Sequence, residues 1–251
     1  MTIMRRRGRP LPRPGVLITA ALALFCSAFL VLPAGAAPVP YEDCPANTLC
    51  LYSGPAGTGE RRDFTDRQGV EGYDAAWDDR TLSLRNNTKL WACVYVDAGY
   101  GGLLQTVSPG NSDDYAGGDA RWVNTISSHK PVPSRAHCFT GYERCPDDRV
   151  CTFTQERGRG PMTAHVPATD PVTGNLGNSY GATAAPRSVW NRTGRHVCFY
   201  PEPAFTGTWT DGTGRTYGAY VVLRGDSTTV PAPFAGSFRS HELVGGTAEC
   251  Q

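Results

Sequence analysis

Nine cysteines, five histidines and one G-x-S-x-G are the groups in this 251-residue chain whose types and spacing could do chemistry. Cys26 lies inside an apolar N-terminal run, which leaves Cys44, Cys50, Cys93, Cys138, Cys145, Cys151, Cys198 and Cys250. An even set in an exported chain reads as disulfides rather than metal thiolates or nucleophiles. His129, His137, His165, His196 and His241 form neither H-E-x-x-H nor a His/Cys zinc spacing. Gly177-Asn178-Ser179-Tyr180-Gly181 has the letters of a nucleophile elbow, which needs a buried strand before it and a helix after it. Thr173-Gly174-Asn175-Leu176 is no such strand, and Ala184-Ala185-Pro186 breaks any helix, so the segment reads as a loop. No catalytic residue is assigned, and the chain is read as not an enzyme.

The elements that must position these residues are short. With 29 Gly and 20 Pro, long helices are disfavoured, while 40% hydrophobic content is enough for a core. The N-terminus reads as a signal peptide over 1–36. Charge from Arg5 to Arg13 precedes an apolar run from Gly15 to Leu32, then Pro33-Ala34-Gly35-Ala36 offers a cleavage site. No stop-transfer charge follows, so a secreted chain with no membrane contact after cleavage is expected. Without the five leader arginines, 19 basic residues face 23 acidic ones, a net of −4 that argues against nucleic acid as a partner.

The chain repeats itself. Cys44-Pro45 and Cys50 recur as Cys145-Pro146 and Cys151 at an offset of 101. Ser83, Asn86, Thr88, Cys93, Tyr95 and Gly102 recur at 105, as Ser188, Asn191, Thr193, Cys198, Tyr200 and Gly207. Ser128, His129 and Cys138 recur at 112, as Ser240, His241 and Cys250. Stepwise growth of the offset is what loop insertions between matched strands produce. The expected organisation is a tail at 37–43, domain 1 at 44–138, a linker at 139–144 and domain 2 at 145–251. Eight cysteines allow 105 pairings; if each half closes on itself in the same way, three remain. The favoured one is Cys44–Cys50, Cys93–Cys138, Cys145–Cys151 and Cys198–Cys250. It closes two tight loops and ties a central strand to each domain's end, where loop closure restricts the unfolded chain most. Leu90 to Val96, Leu103 to Val107, Val197 to Tyr200 and Tyr220 to Leu223 read as short strands of a β-sandwich. Asn86 and Asn191 stand in N-x-T sequons but read as turn residues, and His129 and His241 as a shared structural pair.

Tyr95, Tyr100 and Gly102 repeat as Tyr200, Phe205 and Gly207, an aromatic folded over a turn with Gly at positive φ. This resembles the Greek-key signature of βγ-crystallins. Tyr52 and Phe153 begin weaker copies, in which Gly57 and Gly158 stand among the turn residues and Gly replaces the second aromatic. Ser83, Ser128, Ser188 and Ser240 are candidates for the serine that completes each motif. With the Cys-Pro-x-x-x-x-Cys opening, residues 44–250 are similar to the secreted bacterial metalloproteinase-inhibitor family of βγ-crystallin fold. The resemblance implies an all-β chain of two tandem βγ-crystallin-like Greek-key sandwich domains. It further implies a monomeric inhibitor of an extracellular, thermolysin-like zinc protease. The family's reactive bond follows a half-cystine and has an apolar residue beyond it to fill the protease's S1′ pocket. Cys93-Val94 matches by residue type and Cys198-Phe199 by position. The short disulfide loop of the family is missing, since Ala98 and Pro203 stand where its second cysteine would be. The resemblance also raises calcium, with Asp78, Asp79, Asn124 and Ser127 as a weak donor set in domain 1 and no other cofactor. A non-inhibitory module binding calcium or cell-surface ligands is the alternative.

Overall fold

The computed structural model describes residues 40–165 and 185–250. The leader, Cys26 and the G-x-S-x-G segment lie outside these residues. Among the described residues no helix is long and apolar enough to cross a membrane.

The chain is all-β, with short 3-10 turns between strands. The first repeat contains β1 (Thr48–Tyr52), β2 (Arg61–Thr65), β3 (Ser83–Asn86), β4 (Trp91–Asp97), β5 (Gly101–Val107), β6 (Ser112–Asp114) and β7 (Ser128–Val132). The second contains β8 (Val150–Phe153), β9 (Met162–His165), β10 (Ser188–Asn191), β11 (His196–Tyr200), β12 (Trp209–Thr210), β13 (Thr216–Tyr217), β14 (Tyr220–Val222), β15 (Ser227–Thr229) and β16 (Ser240–Val244). Each repeat forms a four-stranded and a three-stranded antiparallel sheet. The orders are β2-β1-β3-β6 with β5-β4-β7, and β9-β8-β10-β15 with β14-β11-β16. The two orders correspond strand for strand. In each, one strand of the second motif, β6 or β15, crosses to the sheet of the first, which is the Greek-key exchange.

Packing follows from the strand sequences. Leu49, Leu51, Phe64, Leu84, Val94, Val107 and Ile126 face one another between the first pair of sheets. Val150, Val189, Val197, Phe199, Trp209 and Phe238 do so in the second. The four disulfides are Cys44–Cys50, Cys93–Cys138, Cys145–Cys151 and Cys198–Cys250. Two of them brace the first strand of a repeat, and two fasten a central strand to the repeat's C-terminal 3-10 turn.

The matched buried asparagines are satisfied in the same way. Asn86 Nδ2 donates to the carbonyls of Leu90 (2.8 Å) and Val107 (2.9 Å), while its Oδ1 accepts from the Thr88 hydroxyl at 2.7 Å. Asn191 repeats this with Arg195 and Thr193. Both amides close the turn between the two motifs, so the sequons serve as turn chemistry.

Candidate functional site

Four hairpins set the backbone of the molecule, and each is locked by one serine. Ser83 Oγ donates to the Gly54 carbonyl (2.7 Å) and accepts from the Gly57 N–H (3.0 Å). Ser128 joins the Asp97 carbonyl to the Tyr100 N–H, Ser188 joins Gln155 to Gly158, and Ser240 joins Glu202 to Phe205. In the second and fourth hairpins the ring pairs are Tyr95 with Tyr100 (5.4 Å) and Tyr200 with Phe205 (5.9 Å). In the first and third, the partner ring comes from upstream of the hairpin. Tyr41 lies edge-on to Tyr52 at 5.6 Å, and Tyr142 edge-on to Phe153 at 5.5 Å. A Cβ on Gly57 would stand 2.7 Å from the Tyr41 ring, and one on Gly158 would stand 2.5 Å from the Tyr142 ring. Gly replaces the second aromatic because another ring already occupies its place. Sequence reasoning missed Tyr41 and Tyr142, although Tyr-Glu-x-Cys-Pro recurs at the same offset as Cys44 and Cys145.

The two expected reactive bonds lie in the core. Cys93 and Val94 are 0% exposed in the middle of β4, where Val94 pairs with Gln105 on one side and His129 on the other. Cys198 and Phe199 are equally buried in β11, between β14 and β16. An exposed, substrate-like bond at either place is therefore corrected. A backbone laddered on both sides cannot enter a protease cleft unless its sheet comes apart. Val94 and Phe199 are core residues that pair across the sheet with the matched His129 and His241. His129 Nε2 donates to the Gln68 carbonyl at 2.8 Å, so Nδ1 accepts from the Tyr73 hydroxyl, also at 2.8 Å. Burial pushes His129 down to about 4, His165 to about 4 and His241 to about 3, and the nearby His165 adds to the last shift. All three are neutral spacers in the fold.

Of the calcium candidates, the structure brings together Asp79 and Ser127, whose Oγ donates to the carboxylate at 3.2 Å. Asp79 and Asn124 both adopt positive φ, at 54° and 53°. The fifth position of the first motif is Leu82 and the first position of the second is Val123, and neither offers a side-chain oxygen. Calcium takes about six to eight oxygens. This donor set falls short of that number. Among the described residues no cluster of three or more acidic, His or Cys side chains gathers.

The junction between repeats is built from arginines. Arg159 Nε donates to the Tyr100 carbonyl at 2.8 Å, and its Nη2 to the Gly102 carbonyl. The Gly102 N–H donates to Gln155 Oε1 at 3.1 Å. The buried Arg144 pairs with Glu71 at 3.0 Å and donates to the carbonyls of Gly158 and Gly160. Its guanidinium stands 5.1 Å from the Tyr100 ring and 5.4 Å from the Phe153 ring. Gly99, at φ 67°, approaches so closely that a Cβ would meet the Gly160 carbonyl carbon at 2.6 Å. The Phe139 to Arg144 segment spans this junction. It begins with Phe139, one of three exposed large apolar side chains among the described residues; the others are Leu103 and Leu223.

No curated protein matches the chain. Among solved structures, Geodin, a beta-gamma crystallin from Geodia cydonium, is 14% identical with a TM-score of 0.33, covering 79% of this chain and all of its own. A betagamma-crystallin from an Archaea is 23% identical with a TM-score of 0.28, covering 35% of this chain and 100% of its own. The solution structure of Protein S complexed with calcium is 15% identical with a TM-score of 0.26, covering 79% and 99%. The sequence itself matches Peptidase inhibitor family I36 over residues 37–107 and 140–212, once in each repeat and across more than half of the chain. This tandem Greek-key protein belongs to peptidase inhibitor family I36 and acts as an inhibitor, not as an enzyme.

Proposed function

We propose that the protein is exported and inhibits zinc metalloendopeptidases of the thermolysin type, seating an exposed, substrate-like segment in the cleft without efficient turnover. The match of both repeats to a peptidase inhibitor family carries this reading. Disulfides in each repeat suit an extracellular protein that must resist the enzyme it meets. The zinc class of target comes from the family resemblance read in the sequence. The contact segment is one other than Cys93–Val94 or Cys198–Phe199, because both of those lie inside sheets. A rigid segment lowers the entropic cost of binding, so the expected partner is a single protease molecule bound by a monomer. The reading is tested by following peptide hydrolysis by a thermolysin-like enzyme as oxidised 37–251 is added. Hydrolysis that is unchanged at micromolar excess would reject it. The alternative, a non-inhibitory module binding calcium or cell-surface ligands, has only the Asp79–Ser127 pair behind it. A calcium-dependent rise in melting temperature that Asp79→Asn abolishes would favour it.

A further inference from the structure

The matched repeats part company at two neighbouring positions. Tyr100 folds over its hairpin as Phe205 does in the second repeat, so the hairpin needs the ring and not the hydroxyl. Tyr100 is only 6% exposed. Its N–H and carbonyl are bonded to Ser128 and Arg159, but among the described residues its hydroxyl has no hydrogen-bond partner. A buried hydroxyl without a partner costs free energy and calls for an explanation. In β7, Lys130 pairs across the sheet with Cys93, where the second repeat sets Glu242 opposite Cys198.

The two departures meet. Tyr100 and Lys130 line one cavity of about 370 Å³, with the Lys130 ammonium 5.3 Å from the centre of the Tyr100 ring. The Lys130 side chain is 5% exposed, and its bonds to the Thr140 carbonyl and to Glu143 use two of its three N–H donors. Glu143, the one acid of the lining, is therefore already paired. Arg67 adds a second cation, and Pro131, Val132 and Pro133 supply an apolar wall. Burial, with the Glu71 carboxylate nearby, pushes the Tyr100 hydroxyl up to about 12, so it is a protonated donor at neutral pH.

Gly69 keeps that hydroxyl open. Its φ is not positive, so the backbone does not demand glycine. A Cβ there would stand 3.2 Å from Tyr100 Oη and 3.6 Å from Lys130 Cβ. The segment carrying Gly69 is already fixed. Val70 and His129 exchange both backbone hydrogen bonds, at 2.8 and 3.0 Å, and His129 Nε2 donates to the Gln68 carbonyl. The cavity is preformed, and filling it costs little ordering.

We infer that this cavity binds a small organic acid. The carboxylate takes the Tyr100 hydroxyl, the remaining Lys130 N–H and the Arg67 guanidinium, and the apolar part lies on Pro131 and Pro133. A free acid and the C-terminus of a peptide offer this same chemistry. The second repeat has no counterpart, since Phe205 lacks the hydroxyl and Glu242 replaces the cation. The site is independent of the inhibitory reading.

The test is calorimetric titration of the oxidised protein with benzoate, with N-acetyl-leucine and with the amide of each. Saturable binding of at least one acid is expected, with a dissociation constant of about 0.1–1 mM and its amide at least about tenfold weaker. Tighter binding of N-acetyl-leucine assigns the site to peptide C-termini, and tighter binding of benzoate assigns it to free acids. Tyr100→Phe keeps the ring, as Phe205 does, and should weaken binding about tenfold at an unchanged melting temperature. Gly69→Ala should weaken it similarly by covering the hydroxyl. No saturation by either acid at about 10 mM, an amide that binds as tightly as its acid, or unchanged affinity in either variant would overturn the assignment. None of these results bears on protease inhibition, which is measured separately.

Discussion

Arg159, in the second repeat, donates from Nε to the backbone carbonyl of Tyr100, in the first, at 2.8 Å. The guanidinium also takes the Gly102 carbonyl, and burial holds its pKa below the usual arginine value without competing with its charge. One side chain thereby satisfies two carbonyls at the tip of the β4–β5 hairpin. Arg159→Ala should cost about 2–4 kcal/mol, since bonds to charged groups are worth about 1.5–3 kcal/mol each. Calorimetry of the parent is expected to show one transition, and the variant should resolve two. A single unshifted transition in the variant would contradict the coupling.

The long disulfides carry much of the stability. Cys93–Cys138 and Cys198–Cys250 span 45 and 52 residues. In the chain-entropy account each contributes about 4 kcal/mol, against about 2 kcal/mol for a seven-residue loop. Replacing Cys93 and Cys138 by Ala together should lower the urea midpoint by more than replacing Cys44 and Cys50. Equal losses for the two pairs would argue against loop closure as the source.

Three buried histidines set an acid limit. His129, His165 and His241 are held at about 4, 4 and 3 in the fold, against 6.5 unfolded. Between those values the unfolded chain binds more protons than the folded one. Stability is therefore complete above pH 6.5 and falls as the pH drops towards 4, by up to roughly 1.4 kcal/mol per pH unit for each histidine. Urea midpoints at pH 7.5 and pH 5 should differ clearly, and a flat profile over that window would refute the assignment.

Val94 is a core residue, and its substitution should act on folding. Val94→Ala is expected to cost about 2–3 kcal/mol by leaving a cavity, while the folded protein keeps its inhibition constant. A stable Val94→Ala protein that no longer inhibits would return the reactive bond to β4.

Much of this architecture is legible in the residues. The three offsets mark two equivalent domains, and Ser83, Ser128, Ser188 and Ser240 mark the hairpins they lock. The repeat reduces the cysteine pairings to three, and the structure holds the one in which each central strand joins its domain's end. Tyr41 and Tyr142 escape a reading confined to the hairpins, because their rings arrive from upstream of each Cys-Pro. The family resemblance points to Cys93-Val94 by residue type and to Cys198-Phe199 by position. Yet Trp91-Ala92-Cys93-Val94-Tyr95-Val96 is a continuous apolar run, the pattern of a strand buried on both faces. That pattern argues against exposure at Val94.

Inhibition of zinc endopeptidases is the activity proposed for this disulfide-braced pair of Greek-key domains. Its most direct test is the inhibition constant of the oxidised protein against a thermolysin-like zinc protease, measured beside a serine and a cysteine endopeptidase. Saturable, near-stoichiometric inhibition of the zinc enzyme is expected, with the inhibitor recovered largely uncut and the other two enzymes unaffected. Undiminished activity of the zinc enzyme at micromolar excess of folded protein would contradict it.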